Sequence, residues 1–354
     1  MISKYRSVKK TLEEKPVEVS APCRVDSGGT WDIKAMAIPF EYIVPVTINI
    51  ALSLRTRVNL SPYKDGCIKI SSEGFKYAED YNTKNNIPFT SPFGLFLAAI
   101  NHFGFHGLEV TISSDSPIKS ALGGSSTALV ALIKALSELR IILGEKGFSR
   151  RQLLHLGYHI EDGMSGGNCG MQDQAAAVYG GVNLWVWRYS NSTTPFLREA
   201  LIDRRDIRDF SKCLTVAYSG KSHISARVNR SWVTNFLSGK TRTGWIKANE
   251  VVKGLASAIK EKNWDSAAEF LRDEMKIRRE ITPDALIPVT SELIYHAERI
   301  GCGARFTGAG AGGSLWALGE PHKIRQVEEV WENILAPING AGILRCKVDA
   351  VGAK

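Results

Sequence analysis

The residues best suited to chemistry lie in a glycine- and serine-rich stretch, PIKSALGGSSTALVALIKALSEL at residues 117–139. Glycines and hydroxyl side chains precede apolar residues at helical spacing, which predicts a helix that begins in this stretch. Backbone N–H groups converge at a helix start, and glycine lacks the Cβ that keeps an anion from the backbone. The pattern therefore predicts a phosphate site, although a turn followed by a capped core helix also fits it. The residues concerned are Gly123, Gly124, Ser125, Ser126 and Thr127.

Two carboxylates flank another glycine-rich segment, SGGNCG at residues 165–170, and together they fit the needs of phosphoryl transfer. Oxygen ligands hold Mg²⁺, and a carboxylate can take the proton of an attacking hydroxyl. We expect Glu161 and the Ser125 hydroxyl to hold Mg²⁺ and Asp173 to act as the base. Structural roles stay open for both carboxylates, with Asp173 as a helix cap and Glu161 on a solvated helix face.

Composition favours a two-domain protein with an anionic partner. The chain has 354 residues and a formal net charge of +9, from 45 basic and 36 acidic side chains, which suits nucleotides, sugar phosphates or nucleic acid without choosing among them. Basic residues are interrupted by acidic ones along the chain, which argues against a nucleic-acid surface. No apolar run approaches a bilayer span and the N-terminus has no apolar signal region, so we expect a cytoplasmic protein without membrane contact.

Cysteine and histidine spacing predicts neither a disulfide framework nor a zinc site. The six cysteines are dispersed and form no CxxC pair, so we expect free thiols. Two HxxxH pairs, at residues 102–106 and 155–159, lack the glutamate of a zinc-peptidase motif. We therefore expect no metal at either histidine pair.

The periodic patterns change near residue 200, where a sheet-building half gives way to a mainly helical one, so we predict domains at 1–200 and 201–354. Strands are predicted at 17–26, 43–60, 67–73, 108–114, 182–189, 212–220 and 342–351, and within 305–319 after a glycine-rich loop. Helices are predicted after residue 124, shortly after residue 170, and at 92–102, 149–162, 222–238, 245–261, 263–279, 288–300 and 321–335. Residues 190–210 read as a polar connection.

Glycine-rich loops recur at residues 27–30, 123–126, 166–170 and 308–313, which is more than packing requires. None has the GxxxxGK[ST] form of a Walker-type nucleotide site. The GAGAGG segment at 308–313 has only part of the GxGxxG form and no convincing helix after it, so a Rossmann site is not expected.

Three ordered segments resemble the signatures of the GHMP kinases, a family that includes galactokinase, homoserine kinase, mevalonate kinase and phosphomevalonate kinase. PIKSALGGSSTA resembles their second signature, PxxxGLGSSAA, while APCRVDSGGTWD resembles the first and FTGAGAGG the third. GGNCGMQDQAAAVYGG is most similar to the sugar-kinase branch, which contains galactokinase, fucokinase and the bacterial manno-heptose kinases. YSGKSHISARV at 218–228 also resembles the heptose kinases.

The resemblance implies roles for individual residues, with Asp173 as the catalytic aspartate, Arg24 as the basic partner of the reacting centre, and Ser125 and Glu161 as the Mg²⁺ ligands. Ala121 stands where the family usually has glycine and Gly124 where it has a serine, which puts the identity of the sugar in question more than the chemistry. The residues implied in ATP binding are Pro117, Ala121, Leu122, Gly123, Gly124, Ser125, Ser126, Thr127, Gly308, Ala309, Gly310 and Gly312. Those implied in holding the acceptor are Asp26, Gly28, Gly29, Asp32, Gly170 and Gln172.

The fold implied by the resemblance is α+β, with an N-terminal domain like ribosomal protein S5 domain 2, a ferredoxin-like C-terminal domain, and ATP between them. The implied acceptor is a sugar or sugar phosphate of the heptose-7-phosphate or fucose type, phosphorylated on its anomeric hydroxyl by a monomer or homodimer. Two alternatives stay open. One is another ATP enzyme of the family, such as mevalonate or homoserine kinase or diphosphomevalonate decarboxylase; the other is a non-catalytic binding protein on the same fold.

Overall fold

Two β-sheets organise the chain, and the computed structural model describes residues 7–84, 88–191, 193–222 and 225–354. In these residues the first sheet has seven strands, in the order β4-β3-β5-β2-β6-β7 with β1 paired to β2, and the second has four, in the order β11-β8-β10-β9. The strands of the first sheet are β1 (Val17–Ser27), β2 (Val46–Pro62), β3 (Cys67–Ser72), β4 (Glu79–Asn82), β5 (Leu108–Ser114), β6 (Val182–Trp187) and β7 (Phe196–Ala200). Those of the second are β8 (Leu214–Tyr218), β9 (Gly303–Phe306), β10 (Ser314–Leu318) and β11 (Gly342–Ile343).

Helices pack on these sheets and supply most of the second half of the described chain. They are α1 (Val8–Glu14), α2 (Lys34–Ala37), α3 (Gly94–Phe103), α4 (Gly124–Ile142), α5 (Arg150–Met164), α6 (Gln172–Tyr179), α7 (Ile207–Phe210), α8 (Ser225–Leu237), α9 (Arg242–Lys260), α10 (Trp264–Ile281), α11 (Pro288–Ile300) and α12 (Pro321–Leu335). Short 3₁₀ segments lie at Ile38–Ile43 and Pro283–Ala285. None of the described helices is both long enough and apolar enough to span a membrane. The mixed α+β prediction is confirmed.

Strand β2 is the centre of the first sheet because its 17 residues are long enough to pair with three neighbours. It is antiparallel to β1, β5 and β6, whereas β3 and β5 are parallel. Helix α4 packs on β1 and β2, and its apolar positions Leu129, Leu132 and Leu136 are all 0% exposed. A helix that is apolar around most of its circumference belongs in the interior, and burying α4 fixes its N-terminal end relative to the sheet.

The predicted strand at 342–351 is mostly wrong, because only Gly342–Ile343 form a strand there. Beyond β11 the chain returns to the first sheet, where Val348 bridges Leu52 and the Ser20 N–H donates to the Lys354 carbonyl at 2.8 Å. Arg55 holds this tail through an ion pair with Asp349. The apolar alternation of these residues therefore reflects packing against the first sheet rather than pairing within the second.

The polar connection predicted at 190–210 is also wrong, because it contains β7 and the short helix α7. Strand β7 lies at a sheet edge and is mostly exposed, so its sequence carries little apolar alternation. The predicted helix at 222–238 is found as α8, although two of its first residues lie outside the described part of the chain. The sheets separate between β7 and β8, and the domain bounds 1–200 and 201–354 stay a prediction.

Candidate active site

A cavity of about 780 Å³ lies at the N-terminal end of α4. Each of the four predicted glycine-rich loops contributes to its lining, through Gly29, Gly123, Gly170 and Gly308. The carboxylates expected to do the chemistry, Asp173 and Glu161, line the same cavity, as do Arg24 and Ser125. Loops that lie far apart in the sequence thus meet around one space, which is the arrangement that their number and composition suggested.

The start of α4 leaves backbone N–H groups free of side-chain partners. Gly123 is the residue before the helix, its φ is +76°, and no side chain caps the first turn. Ala121, where the family pattern has glycine, also has a left-handed φ of +63°. Its carbonyl accepts from Arg24 Nη1 and from Thr307 Oγ1, both at 2.7 Å, which secures the strained residue. An uncapped helix start beside glycine is a site that suits an anion.

Arg24 and Asp173 form an ion pair directly against this loop. Arg24 Nε donates to Asp173 Oδ1 at 2.7 Å, and Nη2 lies at the same distance from that oxygen. Burial alone lowers the pKa of Arg24, but the carboxylates of Asp173 and Asp26 outweigh it and raise the pKa. A Cβ on Gly123 would lie 3.2 Å from Asp173 Oδ2, so the loop and the carboxylate are in contact. This contact brings the predicted base to the predicted phosphate site.

Glu161 lies on α5 and is held toward the same loop. Gln174 Nε2 donates to Glu161 Oε2 at 2.6 Å. Burial raises the pKa of Glu161 to about 7, opposed by a hydrogen bond with Ser126, while the Asp173 charge adds to the rise. Ser125, the predicted Mg²⁺ ligand, is exposed to the cavity instead. The structure thus brings Glu161 to the adjacent serine, Ser126.

The oxygen donors Ser125 and Glu161 suit Mg²⁺ and would hold it together with other oxygen ligands. Ser125 and Glu161 both line the cavity and offer the hard oxygen ligands that Mg²⁺ prefers. Within the described ranges no group of three or more His, Cys, Asp or Glu side chains is arranged to hold a metal ion alone. A magnesium nucleotide commonly has few protein ligands, because phosphates and water fill the other positions.

Asp32 links the first glycine loop to the start of α6 through hydrogen bonds to its carboxylate. Its oxygens accept from the Thr30 N–H at 3.0 Å and from the Gln172 N–H at 3.1 Å. Burial raises the pKa of Asp32 to about 7, the Gln172 N–H opposes that rise, and the Asp173 charge adds to it. A Cβ at Gly170 would overlap the Asp32 carboxylate, so glycine is required there. Asp32 therefore shapes the predicted acceptor site as well as lining it.

Asp26 is fully buried and lies outside the cavity lining. Its carboxylate accepts from Arg305 Nη1 at 2.8 Å and from the Gly308 N–H at 2.7 Å. Burial raises the pKa of Asp26, but Arg305, Arg24 and the Gly308 N–H together hold it below its ordinary value. These contacts join β1 to β9 and the last glycine loop, so we leave Asp26 out of the proposed acceptor site. Other predicted residues outside the lining are Gly28, Leu122, Thr127, Gly310 and Gly312.

Sequence reasoning missed part of the lining. Lys119 lies within the predicted phosphate loop, and its presence there was visible in the sequence. The residues contributed by α8 follow that loop by about a hundred positions and have no local signal. An apolar group in the lining was also not predicted. The missed residues include Lys119, Asn168, Cys169, Asn229, Arg230 and Trp232, and the apolar group includes Phe75, Pro92, Leu95, Phe96, Ile112 and Ile118.

Two segments of the chain match families of known proteins. Residues 93–181 match the family described as GHMP kinases N terminal domain, and residues 255–336 match GHMP kinases C terminal. A mevalonate kinase of Pyrococcus horikoshii is 26% identical over 307 residues, which cover 78% of this chain and 83% of that protein. A D-glycero-alpha-D-manno-heptose 7-phosphate kinase of Campylobacter jejuni is 31% identical over 185 residues, covering 50% of this chain and 52% of that protein.

Solved structures extend the likeness over nearly the whole chain. The crystal structure of a D-glycero-D-manno-heptose 1-phosphate kinase from Bacteriodes thetaiotaomicron superposes with a TM-score of 0.71 at 18% identity. The alignment covers 95% of this chain and 97% of that one. At such identity the likeness establishes the two-domain fold, which agrees with the matched N-terminal and C-terminal families.

Proposed function

The chain belongs to the GHMP kinase family, and from this premise we propose that it transfers the γ-phosphoryl group of ATP to a hydroxyl of a sugar or sugar phosphate. Kinases of this family are phosphotransferases with hydroxyl acceptors. The observation that carries the proposal is the Arg24–Asp173 ion pair, which lies against Gly123 at the uncapped start of α4. A base beside an anion site is the minimum that such a transfer requires.

The binding roles follow from the cavity lining. The first-turn N–H groups of α4 are suited to phosphate oxygens, and the apolar group that includes Phe75 and Phe96 suits a nucleoside base. Ser125 and Glu161 are the proposed Mg²⁺ ligands. When bound, ATP supplies the phosphoryl group and Mg²⁺ neutralises the charge on its phosphates. The lining therefore offers a place for both.

The chemical role falls to Asp173, which accepts the proton of the acceptor hydroxyl. Arg24 orients that carboxylate through two donors that share one oxygen, leaving the other oxygen, Oδ2, toward the phosphate loop. Asp32 fixes the first glycine loop, so that the acceptor hydroxyl meets Asp173 from a defined direction. Proton removal and positioning are thus assigned to different residues.

The sugar acceptor is supported by the QDQ segment around Asp173 and by the 31% identity with the heptose 7-phosphate kinase. A mevalonate-type acceptor is the second candidate, because the mevalonate kinase alignment covers more of both proteins at 26% identity. The two differ in hydroxyl pattern, since a sugar offers neighbouring hydroxyls that can share a carboxylate such as Asp32. A non-catalytic protein is disfavoured because Asp173, Glu161 and Ser125 are all present.

ADP release with ATP and Mg²⁺ tests the proposal over a panel of acceptors. The panel contains free hexoses, 6-deoxyhexoses, heptoses, their monophosphates, mevalonate and homoserine. We expect a sugar or sugar phosphate to give the highest kcat/KM, by a factor of about 10⁴ over acceptors without paired hydroxyls. Faster turnover of mevalonate or homoserine than of every sugar would remove the sugar assignment and keep the kinase assignment. No turnover of any acceptor would remove both.

A further inference from the structure

Residues 27–32, which contain the first glycine loop, begin at the last residue of β1. They are hydrogen-bonded to α10 from the other half of the chain. The Ser27 hydroxyl and the Gly28 N–H both donate to the Glu274 carboxylate, the latter at 3.0 Å. Arg278 Nη1 donates to the Gly29 carbonyl at 3.4 Å. Glu274 and Arg278 are four residues apart on one helix face, and both are 0% exposed. Helix α10 thus contacts donors and acceptors on both sides of the Gly28–Gly29 peptide.

The loop needs outside support because its backbone is strained. Gly28 has a φ of +70° and Thr30, which is not glycine, has a φ of +93°. Such a conformation persists in a non-glycine residue only where the surroundings hold it. A Cβ at Gly28 would lie 3.0 Å from the Val252 side chain, so α9 also packs closely on the turn. The Gly28 N–H is buried and requires an acceptor, which Glu274 provides.

The Glu274 and Arg278 side chains are themselves fixed by further contacts. The Arg278 guanidinium packs against the rings of both Trp232 and Trp245, at 4.4 and 4.2 Å from their centroids. Arg305 pairs with Glu274 at 3.3 Å and, through another nitrogen, with Asp26 at 2.8 Å. These ring and charge contacts leave Glu274 and Arg278 little freedom to follow a moving loop. The position of the loop is therefore imposed by α10.

We propose that Glu274 and Arg278 are positioning residues that set the geometry of the acceptor site through residues 27–32. The acceptor role of that loop rests on the proposed function, while the support of the loop by Glu274 and Arg278 rests on the contacts above. Neither residue lines the cavity, so neither touches a ligand there. Gly29, Thr30 and Asp32, which do line it, carry the effect to the acceptor.

Glu274→Gln tests the support of residues 27–32 by the Glu274 carboxylate while retaining an oxygen for the Gly28 N–H. We expect the acceptor KM to rise about tenfold, because loss of the charge loosens the loop and misplaced reactants react poorly. The KM for ATP should stay within about twofold, since the hydrogen bonds of Glu274 and Arg278 to the backbone and to hydroxyls go to residues 27–29 and Thr282 and not to the start of α4. Arg278→Met, which removes the donor to Gly29 and keeps an apolar side chain against the two tryptophans, should act in the same direction. Arg278→Lys should restore part of the loss.

Arg272→Met is the matched control on the same helix. Arg272 also donates to backbone carbonyls, those of Gly301 at 3.1 Å and Cys302 at 3.3 Å, but it contacts neither the loop nor the cavity. Its substitution should lower thermal stability and leave both KM values unchanged. If it raises the acceptor KM as much as Glu274→Gln does, general destabilisation explains the effect and the proposal fails.

Hydrogen–deuterium exchange of the peptide that contains residues 27–32 measures how firmly α10 holds these residues, and it does not depend on an activity assay. We expect faster exchange there in Glu274→Gln than in wild type or Arg272→Met. Ser27→Ala, which leaves the buried charges on α10 paired, should give a smaller increase and serves if Glu274→Gln fails to fold. Unchanged exchange, or an unchanged acceptor KM in the folded variants, would overturn the proposal. If wild type turns over no acceptor, the proposed function fails, and the exchange result alone shows whether Glu274 and Arg278 hold residues 27–32 in place.

Discussion

The two neighbouring serines at the start of α4 have different surroundings, although their side chains are identical. Ser126 is buried and its hydroxyl lowers the pKa of Glu161, whereas Ser125 is exposed to the cavity. We expect Ser125→Ala to raise the Mg²⁺ concentration needed for half-maximal activity, because one oxygen ligand is lost while the anion-binding N–H groups remain. Mg²⁺ titrations of Ser125→Ala and Ser126→Ala check this. A larger shift for Ser126→Ala would move the ligand assignment to Ser126.

Asp32 makes the stability of the protein depend on pH. Its pKa is about 7 in the folded chain and near the ordinary 3.8 when exposed. A carboxyl with a raised folded-state pKa contributes most stability below pH 4, and that contribution is lost as the pH rises through 7. Glu161 adds a dependence of the same sign, since its pKa is also raised to about 7.

Replacing Asp32 with alanine should flatten this pH dependence. Between pH 5 and pH 8 the fall in the free energy of unfolding should be about 3 kcal/mol smaller in Asp32→Ala than in wild type. Denaturant unfolding at several pH values measures the difference. Parallel curves for the two proteins would mean that the Asp32 carboxyl is ionised in the folded state at pH 5.

The turn into α4 depends on one glycine far more than on the next. Gly123→Ala should destabilise the protein by about 1–3 kcal/mol, because alanine does not favour the left-handed φ of +76° and its Cβ would meet Asp173 at 3.2 Å. Gly124→Ala is the matched control, because Gly124 lies within the helix and nothing is within 4 Å of an added Cβ. Denaturant unfolding of the two variants should separate them. Equal stabilities would mean that the turn tolerates a side chain at both positions.

Elements with strong periodicity could be predicted from the sequence, and edge elements could not. Strand β5 and helix α12 lie at their predicted bounds, because both carry regular apolar spacing into a buried core. Strands β4 and β7 were missed, since each lies at an edge of the first sheet where exposed side chains weaken the alternation. Their existence depends on a neighbouring strand, which is tertiary information that the local sequence does not contain.

The residues of the candidate site also divide into those that the sequence could identify and those that it could not. Glycine loops and carboxylates could be identified from residue type and spacing, and the cavity unites them. Asn229, Arg230 and Trp232 could not, because α8 is brought to the cavity by tertiary packing on α2 and α9, which the local sequence does not contain. Glu274 and Arg278 were equally hidden, since a charged residue on an amphipathic helix predicts a solvated face rather than full burial.

Transfer of phosphate by the Arg24–Asp173 centre is tested most directly by following the product itself. Wild type and Asp173→Asn are incubated with ATP, Mg²⁺ and the best acceptor of the panel, and the mixtures are followed by ³¹P NMR, with ATP affinity measured separately. We predict that wild type forms a phosphorylated acceptor in step with ADP, and that Asp173→Asn binds ATP nearly as well but forms no product above background. Product formation by Asp173→Asn within tenfold of the wild-type rate, or release of inorganic phosphate alone by wild type, would contradict the account.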